Sequence, residues 1–286
     1  MTASVPVVAG TRRRRRSSHH SVDLGPVGIV LSVVGLLFLG LPVAALLVRA
    51  VLGEQLLATA SSKAVVDALI LSLFTTLCSL VLIVVFGTPL ALLLARRSFR
   101  GKWLADVLVD LPMILPPTVA GLALLLAFGV RGTLGTPLDA LGFRIPFTTL
   151  AVVLAQTFVA APLYIRSLRA GFASIDRTVE EAAQVDGASR LQLLTRVTLP
   201  LATPAVGAGL ALAWARALGE FGATIMFAGN IEGRTQTLPL VVYSKFQTSL
   251  DASVAAAAVL VMAAFGVLVA VRLTRWRAGV DGRGMV

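Results

Sequence analysis

Residues 180–200 read EEAAQVDGASRLQLLTRVTLP. The stretch is polar, yet long apolar runs flank it on both sides. Asp176, just upstream, is placed to cap a helix whose first turn carries Glu180 and Glu181, near the positive end of the helix dipole. Gly187 suits the left-handed position that ends a helix. Ser189 and Gln192 have capping-box spacing and start a second helix. Arg196 suits that helix's last turn, and Pro200 closes the segment. The pattern predicts a compact helix–turn–helix knob outside the apolar phase. Ala182 and Ala183 leave part of its surface flat, open to the approach of another backbone. A helix laid into a partner's groove has this form. A plain connector resting on a lipid surface is the other reading these residues allow.

The flanks decide the fold class. Hydrophobic residues make up 57% of the 286-residue chain and charged residues 14%, against about 25% charged in ordinary soluble domains. Mean hydropathy is +0.90. A helix needs about 20 mostly apolar residues to cross a bilayer. Six runs meet that length: 27–51, 68–95, 104–129, 147–165, 202–228 and 252–271. They are continuous rather than alternating, so helices and not a barrel satisfy their backbone groups. The expected fold is all-α, an integral membrane six-helix bundle over residues 27–276. Residues 1–26 read as a disordered basic tail with Arg12 to Arg16, His19 and His20. Residues 172–201 form the polar loop, and 277–286 a short tail.

Charge placement sets the orientation. Eighteen of the 25 Lys and Arg fall on the side that holds both termini and the 180–200 knob, six fall on the other, and Arg216 lies within a span. Positive residues mark the cytoplasmic side, so both termini and the knob are expected in the cytoplasm, in a multi-pass plasma or inner membrane protein. The same placement accounts for the net charge of +11 without a nucleic-acid partner. The single cysteine, Cys78, excludes an intramolecular disulfide and a multi-cysteine metal site. No cluster of His or acidic residues offers catalysis or a metal centre, and no G-x-x-x-x-G-K-S/T phosphate loop is present.

Charges within spans are costly and usually functional. Arg216 and Glu220 share a helix face at i and i+4. They read either as a structural pair holding the bundle or as a polar element of a pathway or gate. Pro112, Pro116 and Pro117 interrupt the third run; they line a cavity or simply kink a packed helix. Asp106 and Asp110 are expected to answer Arg96, Arg97 and Arg100.

Glu181-Ala182-Ala183, three residues, Gly187, nine residues, then Val197-x-Leu199-Pro200 resembles the EAA loop of ABC importer permeases, with valine where the family usually has isoleucine. The resemblance runs from about residue 65 to 272. It implies a type I importer transmembrane domain whose loop (Glu181, Ala182, Ala183, Gly187, Val197, Leu199, Pro200) enters a cleft on a separate ATP-binding subunit. ATP and Mg would then belong to that subunit, with no cofactor and no catalysis in this chain. GEFGATIMFAGNIEGRTQT (219–237) and LPPTVAG (115–121) look like the molybdate and sulfate permease branch. The implied cargo is a tetrahedral oxyanion, with molybdate favoured over sulfate or tungstate. Pro116, Pro117, Arg216, Glu220 and Asn230 are the candidate pathway or gate. Glu232, Arg234 and Lys245 on the outward side either meet an extracytoplasmic oxyanion-binding protein or are simply solvated. A homodimer with its pathway on the two-fold axis is implied. Two other classes compete. A gradient-driven carrier or channel should spread ionisable groups through several spans and show a repeat; only Arg216 and Glu220 lie deep. A membrane sensor or scaffold should carry a soluble output domain, and none is evident.

Overall fold

A computed structural model describes residues 25–281, and the arginine run, His19 and His20 lie outside the described residues. The described residues are helical, with no strand among them. The chain divides into two units, 1–45 and 46–286. From the first unit come residues 25–45 of α1 (Gly25–Leu52), whose Val27, Leu31 and Phe38 are exposed apolar side chains.

In the second unit the elements are α2 (Leu56–Ala60), α3 (Lys63–Arg96), α4 (Lys102–Ile114), α5 (Pro117–Phe128), α6 (Gly135–Ala140) and α7 (Thr149–Ser174). Then follow α8 (Arg177–Val185), α9 (Arg190–Leu193), a π-helical turn at Leu194–Thr198, α10 (Leu199–Leu201), α11 (Thr203–Leu218), α12 (Gly222–Phe227), α13 (Leu238–Phe246) and α14 (Leu250–Asp281).

The centre of this unit is α7. Toward its C-terminal end Tyr164, Leu168 and Phe172 are buried with Ile83 and Leu94 of α3 and Ala213 and Ala217 of α11. Toward its N-terminal end Val152, Ala155 and Val159 pack with Ala120 and Leu124 of α5 and Ala223 and Phe227 of α12. A third cluster joins Val65 and Ala68 of α3 to Leu238 and Val241 of α13 and Ala256 and Val259 of α14. Association in lipid gains little from apolar burial and relies on close packing and buried hydrogen bonds. Both are present between α3 and α7. Ser79 Oγ lies 3.0 Å from Val153 O and 3.1 Å from Gln156 Oε1. Thr88 and Tyr164 hydroxyls are 2.9 Å apart.

Among the described residues four helices are long and apolar enough to span, and six if each of two bent pairs counts as one span. The run 104–129 is not one rod: α4 and α5 meet at 119°. The cause is local. Leu115 and Pro116 each precede a proline, which disfavours the helical region, and both are extended with ψ of 134° and 136°. Pro112 does not break the chain; it is buried inside α4. The run 202–228 also divides. A 72° bend separates Arg190–Leu201 from α11, and α11 ends at Leu218, after which Gly219 to Phe221 intervene before α12. The 147–165 run begins just before α7, which starts at Thr149 and continues past the run to Ser174. In this extension Arg166 and Arg169 pair with carboxylates of α4.

Gln156 is 1% exposed and spends its amide on α3. Gln156→Leu is expected to destabilise the α3–α7 contact by about 0.6–2 kcal/mol, read as a lower melting temperature of the protein in detergent. An unchanged melting temperature would remove the polar contact from the account of the fold.

Candidate functional site

Two places collect the residues singled out by sequence: the polar knob and the pair of helix breaks.

The knob is built as its capping residues dictate. Asp176 accepts from Thr178 N at 3.0 Å, which holds its carboxyl below the ordinary carboxylate range. A depressed value means the cap is intact above about pH 4 and is lost as pH falls through the lowered value. The turn that closes α8 reaches Gly187, whose φ is +87°. Ala188 N donates to Ala183 O and Gly187 N to Gln184 O, the paired closure of a Schellman turn. Ser189 and Gln192 then form a reciprocal capping box at the start of α9. None of the residues of α8 or α9 is buried. Glu181 and Ala182 are exposed and Ala183 is half-buried. Val179 and Val185 add an outward apolar stripe with Ala182, Val185 being 88% exposed. Val185 escaped the sequence reading, although its three-residue spacing from Ala182 was visible. Val197 lies in the π-helical turn, and Leu199 and Pro200 form α10.

The breaks face one another. A Cβ added to Gly222 would come 2.7 Å from Pro117 Cβ, and one added to Gly121 would come 2.7 Å from Ala223 O. Real Cβ contacts are longer, so α5 and α12 touch through backbone that only glycine permits. The two quoted stretches LPPTVAG and GEFGAT are therefore one structure. Glu220 sits at its centre, 1% exposed. Its Oε1 accepts from Ala223 N at 2.7 Å and caps α12. Its Oε2 lies 2.6 Å from Arg216 Nη1, an ion pair by distance but not a well-angled hydrogen bond. Arg216 keeps 32% of its side chain exposed, and Pro116, Pro117 and Thr118 are exposed. The break thus presents a cation, paired on one side, and neutral groups on the other.

Other placements differ from expectation or stand apart. Asp106 pairs with Arg169 at 2.5 Å and Asp110 with Arg166 at 2.8 Å, not with Arg96, Arg97 or Arg100. The carboxylates share one face of α4 and the arginines one face of α7, which packs against it. Asn230, in the segment between α12 and α13, donates to Ser244 of α13 at 2.9 Å. Glu232 and Arg234 are exposed there, while Lys245 is half-buried in the last turn of α13. On the same side a cavity of about 580 Å³ is lined by Arg131, Arg144 and Phe147 among others.

A long central helix, two broken helices back to back and a capped polar knob make up a membrane-embedded helical subunit. The family described as the binding-protein-dependent transport system inner membrane component matches residues 87–276, and the chain belongs to it. The protein is a multi-pass permease of the ABC importer class. The molybdenum transport system permease protein ModB of Mycobacterium tuberculosis is 42% identical over 250 residues, 86% of this chain and 93% of that one. Among solved structures, a bacterial ABC transporter that imports the acidic polysaccharide alginate superposes with a TM-score of 0.66 at 20% identity, over 88% of this chain and 94% of that one. The same kind of importer in complex with its periplasmic protein gives 0.64 at 20% identity, over 86% and 91%. At that identity the likeness shows the fold.

The Arg216–Glu220 pair carries a prediction. Arg216→Ala strands a buried carboxylate, at a cost of about 3–5 kcal/mol. Glu220→Ala strands a guanidinium that is one-third exposed and costs less. The double alanine variant should melt higher than Arg216→Ala alone. Equal melting of all three and the parent would make the pair irrelevant to the fold.

Proposed function

We propose that this chain is the permease subunit of an ATP-driven molybdate importer, taking a tetrahedral oxyanion into the cytoplasm. The observation that carries the reading is the capped knob whose helices α8 and α9 bury no residue, with its outward stripe of Val179, Ala182 and Val185, on a chain 42% identical to a molybdenum transport permease. A helix without buried residues that presents an apolar stripe fits a groove in another subunit. That subunit binds ATP and Mg and does the hydrolysis; this chain moves the cargo. A binding protein delivers the oxyanion on the outward side, where Glu232, Arg234 and Lys245 contact it. Two copies form the pathway, with Pro116, Pro117, Arg216, Glu220 and Asn230 toward it. Tungstate and sulfate share the tetrahedral shape and charge of molybdate and compete for the same route.

Reconstitution in liposomes with an ATPase subunit and a molybdate-binding protein tests the reading. Uptake of labelled molybdate should need both partners and ATP. Uptake that follows an ion gradient with the ATPase absent would establish a carrier instead. Ala183→Trp should abolish ATPase co-purification by filling the groove, and Gly187→Val should strain the left-handed turn by about 1–2 kcal/mol or more. Both variants should reach the membrane at parental levels and transport poorly. Parental uptake by the double variant would reduce the knob to a connector.

Orientation has its own test. In a Cys78-free background, single cysteines at positions 100 and 190 should resist an impermeant thiol reagent added to intact cells and react once the cells are opened. Labelling from outside would invert the topology.

A further inference from the structure

We infer that Glu180, the residue before the EAA signature, is the latch that joins the knob to the membrane bundle, so that α3, α8 and α11 are driven as one body. This rests on the reading of the knob as the joint to the ATPase.

Three observations carry it. A cleft of about 980 Å³ separates the end of α3 from α8 and α9, lined by Leu92, Arg96, Glu180, Gln184 and Leu194 among others. The knob is therefore not held to α3 by a packed core, since α8 and α9 bury none of their residues. Glu180 crosses this cleft. Its Oε1 accepts from Arg96 Nη2 at 2.9 Å, in the last turn of α3. The same oxygen accepts from Thr198 Oγ1 at 2.9 Å, at the end of the π-helical turn that leads through Leu199 and Pro200 toward α11.

Exposure separates this ion pair from the α4–α7 pairs. Arg96 and Glu180 side chains are only 16% and 14% exposed, against 56% and 32% for Arg166 and Asp110. Exposed pairs contribute little because solvent and salt screen them; this one is largely shielded. Thr198 is 3% exposed, so its hydroxyl needs the partner it has. The π-helical turn adds a second mark of a working joint, since such turns frequently interrupt α-helices at functional places. Without the latch, α8 would lose its charged link to α3 and stay joined to the bundle through Ile175 and the Gly187 turn, with no buried residue of its own. A push on α8 would then be absorbed by that turn. With it, the push arrives at Arg96 and at Thr198 together, and so in the two helices that clasp α7. Glu180 is a positioning residue: it touches neither nucleotide nor cargo.

The experiment uses the complete importer in liposomes and reads molybdate taken up per ATP hydrolysed, with ATPase co-purification measured beside it. Glu180→Ala and Arg96→Ala should keep co-purification at the parental level and lower uptake per ATP about fivefold or more, the range of coupling between linked sites. Glu180→Gln, which keeps the acceptor for Thr198 and loses the charge, should fall between. The reversed pair Glu180→Arg with Arg96→Glu should recover at least half of the parental ratio, since a threonine hydroxyl accepts as well as donates. Parental uptake per ATP in Glu180→Ala and Arg96→Ala overturns the latch. So does a reversed pair no better than either single reversal. Failure of the underlying reading looks different: Ala183→Trp would then co-purify with the ATPase and transport as the parent does.

Discussion

Hydrocarbon offers no partner to a broken helix, and this constraint organises the protein. Backbone groups freed by a break must be satisfied inside the structure or meet water. Among the described residues the chain pairs two of its helix breaks, the one at Leu115–Pro116 and the one at Gly219–Phe221. It sets them against each other. Gly121 and Gly222 let α5 and α12 approach at backbone distance, and the Glu220 carboxylate supplies an acceptor to the freed Ala223 N–H. Pro117 needs no acceptor, because it has no N–H to satisfy. Each break is thus the lid of the other. Helix α7 then braces both, through Val152, Ala155 and Val159 against Ala120 and Phe227.

The second consequence concerns polarity along α7. Its first two-thirds carry one polar amide, Gln156, satisfied by α3. Its last third carries Arg166 and Arg169, each answered by a carboxylate of α4. The arginines fix where α4 lies, since both aspartates must face them. This leaves Arg96 free of Asp106 and Asp110 and available to Glu180. One set of charges seats α4 on the bundle, and another reaches the knob.

Much of this was legible in sequence because it rests on local rules. Asp176, Gly187 and the Ser189–Gln192 box each act within four residues, so their spacing alone predicts the knob. Hydrophobic run length likewise locates the helices, but not their directions. Three prolines between 112 and 117 signal a break; only the doubled proline makes one, since each of Leu115 and Pro116 precedes another proline. The carboxylate partners of Arg166 and Arg169 lie 56 and 63 residues away, and the partner of Glu180 lies 84 away. Nothing local encodes such pairings. Sequence proximity pointed Asp106 to Arg96, whereas helix packing gives it Arg169. The joining of LPPTVAG to GEFGAT was hidden for the same reason, although glycine in each was the trace that two backbones meet.

The charge at the break bears on how an oxyanion would pass it. At an effective dielectric of 20, a bare guanidinium 4 Å from a dianion would hold it by about 8 kcal/mol. Each 1.4 kcal/mol is a tenfold change in an equilibrium, so such a site would retain its cargo by several powers of ten. Conduction needs binding weak enough to leave. Glu220 at 2.6 Å cancels most of the Arg216 field, while the one-third of Arg216 left exposed still offers N–H donors. On the proposed function, the pair therefore presents hydrogen bonds to an oxyanion without the charge that would trap it. On the same reading, the burial of Glu220, at 1% exposure, would keep its carboxylate away from a passing dianion that its negative charge would repel. The pair is asymmetric, with the cation one-third exposed and the anion buried, so on this reading its donors and not its carboxylate would meet the oxyanion.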